Sequence, residues 1–186
     1  MSDFITSLRL FLLSVVICSA GYSAVMLAFA SVAAPEKRQG SLIRREDGTV
    51  VGSSLIAQNF TRPEYFWPRP SACDYNASAT AGSNLSPTNP KITDRAKEII
   101  GRLQPGEGQL VPADLVLASG GGMDPHITFA AAKFQVPRVA TARNLTADQV
   151  QELVDQHTDS PTLATFGGES IVKVLELNLA LDNLAK

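Results

Sequence analysis

The sequence predicts a membrane protein with a single N-terminal transmembrane helix followed by one α+β soluble domain. Two observations carry that expectation. From Leu10 to Pro35, 26 residues contain no Asp, Glu, Lys or Arg. As a helix rising about 1.5 Å per residue they cover about 39 Å, more than a hydrocarbon core about 30 Å thick. Beyond this run lie about 150 residues, the size of one domain with an ordinary core, and their helix signals outnumber their strand signals. The chain therefore divides into a short N-terminal tail at 1–9, a transmembrane helix at 10–35 and a soluble α+β domain at 36–186. That domain carries a Pro/Ser/Asn-rich loop at 61–90.

A cleaved signal peptide is the competing reading of the run, with Ala28-Phe29-Ala30 as its small-residue cleavage site and a secreted binding protein as its product. Signal peptides place an apolar centre of about 7–15 residues behind a basic start. This run is longer, and Arg9 is the only basic residue before it. The positive-inside rule sets Arg9 and the amino group against Lys37, Arg38, Arg44 and Arg45, which favours a cytoplasmic domain; long domains, however, translocate largely regardless of charge. With a formal net charge of −2 and no basic tract, nucleic acid is not a partner to expect. Cys18 inside the run cannot reach Cys73 beyond it for a disulfide. His126 and His157 show no metal-ligand spacing, so no metal is expected.

The elements follow in order. Glu36 to Gly48 is a polar connector, and Glu46-Asp47-Gly48 between Leu42-Ile43 and Thr49-Val50-Val51 predicts a small hairpin. Ser54 to Phe60 is a short ordered segment of either type. From Thr61 to Pro90, Pro63, Pro68, Pro70, Pro87 and Pro90 forbid regular helix or central strand. Tyr65, Phe66, Trp67 and Tyr75 argue that this loop is anchored, either onto the domain's own core or onto a partner. Thr93 can cap a helix to Leu103, with Ile92, Ala96, Ile99, Ile100 and Leu103 on one stripe. Val111 to Ala118 reads as a buried strand through Leu115-Val116-Leu117. Ile127 to Phe134 reads as helix, and Val136-Pro137 as the start of another turn or helix. Thr146 and Gln149 form a capping box, with Leu145 able to staple to Val150, for a helix to about His157. The stripe Val174, Leu177, Leu181 and Leu184 favours a helix over Ser170–Leu184.

The most chemically suggestive stretch runs from Ser119 to His126. Successive amides at Gly120, Gly121 and Gly122 can form an anion-binding nest, although no Gly-Lys-Ser/Thr follows to make a P-loop. Ser119, Asp124 and His126 are triad residue types, and a membrane-tethered hydrolase using them is the alternative function. The plainer reading is a tight turn in which Asp124 caps a helix opened by Pro125. Arg69, between Pro68 and Pro70, can bind a carboxylate or phosphate or pin its own loop. Glu169 and Glu176 can share a helix face without forming an acid–base pair.

An ordered series of motifs spans the chain: Gly52-Ser53-x-Leu55-Ile56-x-Gln58-x-Phe60, Pro63-x-Tyr65-Phe66-x-x-Arg69-Pro70-Ser71, Tyr75-Asn76 and Gly82-Ser83-Asn84-Leu85. Further on stand Val111-Pro-x-Asp-Leu-Val, Ala118-Ser-Gly-x-Gly-x-Asp124-Pro-His-Ile127, Gln135-Val-Pro-Arg138-Val-Ala-x-Ala-Arg143 and Val174-Leu-x-Leu-Asn178-Leu-Ala-Leu-Asp182. This series resembles the C-subunit family of the bacterial Kdp potassium-transporting ATPase. Departures are mild: Thr80-Ala81-Gly82 stands for the family's Ser-Gly-Gly, Ser86 for its Gly after Leu, and Leu117 for its Thr before Ala-Ser-Gly.

The resemblance implies a non-catalytic accessory subunit of an ATP-driven potassium uptake pump in the bacterial inner membrane, with its soluble domain periplasmic, against the local charge balance. Its partners would be a channel-like potassium-conducting subunit, a P-type ATP-hydrolysing subunit and a small membrane peptide, besides the lipid bilayer. It would promote assembly and raise the ATP affinity of the hydrolysing subunit. The Asp-Lys-Thr-Gly of P-type phosphorylation is absent, consistent with chemistry on another chain. If ATP is contacted through the complex, the candidates are Gly120, Gly121, Gly122, Gln135 and Arg138. Candidate partner contacts are Tyr65, Phe66, Trp67 and Arg69 in the loop. In the span they are Gly21, Ala24, Ala28 and Ser31, whose spacing of three and four puts small residues on one face.

Overall fold

A computed structural model describes residues 2–45, 47–160 and 168–184. Two compact units result, 1–51 and 52–186. In the first, α1 (Ser2–Val15), a π-helical segment (Val16–Gly21) and α2 (Tyr22–Ala33) follow without a break. Over Asp3–Ala33 this helix is 31 residues long, apolar enough to cross a membrane, and buries none of its residues. The tail expected at 1–9 is thus helical from Ser2, with Asp3 in the first turn, where a carboxylate complements the helix dipole. The helix stops at Ala34 (φ −152°) because Pro35 disfavours α geometry in the residue before it. Pro35 then opens a single turn, α3 (Pro35–Arg38). Strands β1 (Leu42–Arg44) and β2 (Val50–Ser53) pair as the expected hairpin. Gly48 takes φ +81° at its tip; Glu46 of the predicted turn lies outside the described residues.

The second unit is built on a three-stranded antiparallel sheet: β3 (His126–Thr128), β5 (Ile171–Lys173) and β4 (Thr158–Asp159), with β5 in the centre. Ile127 faces Val172 across the ladder, and both are buried. Each longer strand passes directly into a helix: β3 into α5 (Phe129–Arg143), β5 into α7 (Val174–Leu184). Between them α6 (Ala147–Gln156) packs on both helices. The core is their shared filling, with Val136, Val139, Val150, Val154, Leu177 and Leu181 at its centre. The Thr146–Gln149 capping box forms as expected.

Several expectations are corrected. Helix α4 (Pro90–Leu103) starts before Thr93: Asn89 caps it by accepting from Lys91 N–H at 3.0 Å, and Pro90 occupies the first position, where its missing N–H costs nothing. Leu115-Val116-Leu117 is no strand. The segment makes a short 3₁₀ turn over Ala113–Leu115 and only Leu115 enters the core, so burial of one residue stood behind the apolar run. The Ile127–Phe134 and Val136-Pro137 pieces are one strand and one continuous helix. Pro137 sits inside α5, where its ring costs about 3 kcal/mol. Lys133, which loses the donor, is exposed with Pro137 on the solvent side, while Val136, Val139 and Ala140 hold the other face in the core. Asp124 caps no helix; it folds back to its own strand entry, accepting from His126 N–H at 3.0 Å. Ser170–Leu184 opens with the strand β5 before α7 begins.

Candidate functional site

The Thr61–Asn89 loop carries no helix or strand, so its backbone needs other partners wherever it is buried. Phe66 is fully buried, and two side-chain amides supply those partners. Asn178 of α7 accepts from Phe66 N–H at 2.8 Å and donates through Nδ2 to the Phe66 carbonyl at 3.0 Å. Gln135 of α5 repeats the pattern one residue on, accepting from Trp67 N–H at 2.8 Å and donating to the Trp67 carbonyl at 3.1 Å. Both amides are 1% exposed. Each pairs with a peptide unit as a neighbouring strand would, in a segment whose prolines forbid a strand.

Arginines extend the clamp. Arg138 donates to the carbonyls of Pro63 and Tyr65, donates to Gln135 Oε1 at 2.6 Å, and lies 3.9 Å over the Trp67 ring. Arg102 approaches the same ring at 4.7 Å. Burial, with the Arg102 charge adding to it, pushes the Arg138 guanidinium down to about 10, so it stays charged at neutral pH. Arg143 donates to the Glu64 carbonyl at 2.7 Å and pairs with Asp182 at 2.8 Å; Asp182 also accepts from the Tyr65 hydroxyl at 3.1 Å. Downstream, Arg69 pairs with Asp124 at 3.1 Å, and the Tyr75 hydroxyl donates to the Arg69 carbonyl at 2.9 Å. The glycine turn closes on this loop: Ser119 N–H donates to the Pro70 carbonyl, and a Cβ at Gly122 (φ +71°) would strike Cys73 Sγ and the Ala81 carbonyl. The Cys73 thiol lies below its ordinary range, chiefly through its hydrogen bond with Ser71.

The predicted site residues sort as follows. Phe66 faces the core and offers no contact surface; Tyr65, Trp67 and Arg69 are partly exposed and pin the loop. Gln135 spends its amide on Trp67 and Arg138, and Arg138 is committed to three protein oxygens. Gly120 and Gly121 are exposed with open space around them; Gly122 is buried. Asp124 meets His126 Nδ1 at 3.2 Å, but Ser119 is 3% exposed and, among the described residues, no hydrogen bond joins it to His126. The hydrolase triad is not assembled. Gly21, Ala24, Ala28 and Ser31 are exposed along the span. An open cleft of about 710 Å³ lies between Arg69, Asp114, Leu117, Thr128, Phe129 and Glu169, yet Asp114 is engaged by Thr128 N–H and Arg69 by Asp124. No cluster of metal-ligating side chains occurs among the described residues. Asn178, the residue on which the clamp turns, stands in the sequence as a member of the last motif and as a polar residue, with Glu176, among the leucines from Leu175 to Leu181; neither signal points to the Thr61–Asn89 loop.

The motif series and the fold now meet a direct comparison. The family model for the K+-transporting ATPase c chain, KdpC, matches residues 4–183. The chain belongs to the KdpC family. A potassium-transporting ATPase KdpC subunit of Parvibaculum lavamentivorans is 49% identical over 184 residues, covering 99% of this chain and 98% of that one. The KdpC subunit of Ralstonia nicotianae is 48% identical, covering 88% and 82%, and that of Polaromonas naphthalenivorans 48%, covering 96% and 93%. KdpC membership makes the chain an accessory subunit of a potassium pump, held in the membrane by its one N-terminal helix.

Two outcomes test the clamp. Asn178→Ala leaves the Phe66 N–H and carbonyl unpaired at about 1–3 kcal/mol each. A lower urea midpoint and faster chymotryptic cleavage after Tyr65 and Phe66 are expected of the purified full-length chain in detergent; an unchanged midpoint would show the loop is held otherwise. Burial pushes the Tyr75 phenol up to about 12, opposed by Arg102 and aided by Asp74. An unfolded phenol ionises near 10. Between about pH 10 and 12 the unfolded chain therefore binds fewer protons than the folded one, and the contribution of this group falls as pH rises. Tyr75→Phe should flatten that alkaline decline in urea titrations, and a tyrosine absorbance step near pH 12 should vanish with it.

Proposed function

We propose that this subunit is an architectural part of the pump: its span docks against transmembrane helices of its partners, and its folded domain acts on the periplasmic side without chemistry of its own. The partners are the channel-like potassium-conducting subunit, the P-type ATP-hydrolysing subunit and the small membrane peptide, and phosphorylation and hydrolysis belong to the hydrolysing chain. The observation that carries this reading is how the domain spends its polar side chains. Gln135, Arg138, Arg143, Asn178 and Asp182 all go to fixing one loop, and Ser119 is buried away from His126. The effect on ATP affinity then arises through assembly rather than through nucleotide held by this domain.

Docking by the span is supported by its small-residue face. A Cβ at Gly21 would meet only the Val16 carbonyl, at 3.7 Å, so the helix itself does not require glycine there; close approach of a neighbour does. Gly21→Leu should reduce recovery of the large membrane subunits with the affinity-tagged chain from detergent-solubilised membranes, and unaltered recovery would leave the helix a mere anchor. Topology has its own probe. Cys73 is half-buried among Ser71, Gly121 and Gly122, so the reporter is better placed at exposed Ser78. Ser78→Cys in a Cys73→Ser background should react with a membrane-impermeant maleimide when only the outer membrane is permeabilised. Labelling that requires inner-membrane lysis would put the domain in the cytoplasm.

A further inference from the structure

The span contains a backbone acceptor that the helix leaves unused. Through the π-helical segment the ladder runs from each N–H to the carbonyl five residues back, and its last bond goes from Tyr22 N–H to Ile17 O. After Gly21 the four-residue ladder of α2 resumes. The change from five back to four passes over one carbonyl, that of Cys18. The serine hydroxyls of the span with hydrogen bonds turn elsewhere, Ser14 to the Leu10 carbonyl and Ser31 to the Leu27 carbonyl. Cys18 is also the midpoint of the apolar helix Asp3–Ala33. At that depth a bilayer offers no water, and a backbone group must find its partner in protein. Single π turns in helices recur at functional positions.

The geometry points to a partner of stated chemistry: a neighbouring transmembrane helix of the pump that presents a hydrogen-bond donating side chain (hydroxyl, amide, indole or imidazole) to the Cys18 carbonyl at mid-membrane. The inference rests on the docking role proposed for the span and adds to it where the contact lies and what it consists of. Gly21, one turn on and without a side chain, leaves a neighbouring backbone room to come close. The contact fixes rotation and depth of the helix together, which a smooth apolar face cannot do.

The chain has two cysteines, so Cys73→Ser grown with carbonyl-¹³C cysteine carries a single infrared reporter at Cys18. Labelled chain is measured alone in detergent and after assembly with unlabelled partner subunits. The expected result is a high-frequency ¹³C amide I band in the free chain that moves to lower frequency in the complex. An unmoved band in an assembled complex overturns the contact while leaving the docking role intact; failure to assemble with partners overturns both. Tyr22→Ser supplies a hydroxyl that can reach back four residues to the same carbonyl. Its band should start low in the free chain, and its recovery with partners should drop several-fold; recovery equal to the parent chain would count against the contact.

Discussion

Two side-chain amides decide how this domain is put together. Burying Phe66 in a loop rich in proline leaves its peptide groups without a ladder, and a buried unpaired N–H or carbonyl costs about 1–3 kcal/mol. Asn178 and Gln135 remove that cost at consecutive residues, and they come from different helices. The pairing therefore works only when α5 and α7 stand at the right separation, which the sheet enforces. Strand β3 feeds α5, strand β5 feeds α7, and Ile127 opposite Val172 sets the offset between them. The loop is not an appendage laid on a finished core. It is a layer of the core, and its arginine contacts follow from that placement.

The arginines show how charge is handled without carboxylates. Arg102 and Arg138 approach the same Trp67 ring at 4.7 and 3.9 Å, and among the described residues neither has an ion-pair partner. The ring's electron-rich faces and the carbonyls of Pro63 and Tyr65 substitute for anions. Where a carboxylate does appear, in Asp182, it serves two donors at once, Arg143 and the Tyr65 hydroxyl. One loop residue, Tyr65, is thereby held by its carbonyl, its hydroxyl and its ring.

What was legible in the sequence was local. The Thr146–Gln149 box specifies a helix start by two bonds four residues apart at most, and the structure contains it. The uncharged run from Leu10 announced the span by length alone. Elements set by distant contacts were not legible. Three-residue strands at His126–Thr128 and Ile171–Lys173 are too short for a period of two to register, and they exist because they pair with each other. Pro137 signals a break locally, while the buried face on both sides of it keeps α5 whole. At the candidate site, Gln135 and Arg138 stand out by motif, as candidates for ATP contact. Their partners within the fold, Trp67 and Pro63, lie some seventy residues away in sequence, and no spacing rule reaches that far.

The use a protein makes of its polar groups bears on where it can meet its partners. A domain that directs its buried amides and most of its arginines inward gains a fixed surface and gives up ligand chemistry. The soluble unit does this, down to a glycine turn packed against Cys73 and Ala81. The span does the opposite. Its surface is predominantly apolar, so hydrophobicity gives no preference between lipid and a neighbouring helix. Whatever orients it must be a feature lipid cannot match: close backbone approach or a hydrogen bond. Gly21 and the π-helical turn lie side by side in a helix that buries none of its residues. A single unsatisfied group discriminates most where the chain is least polar, because lipid offers it no partner.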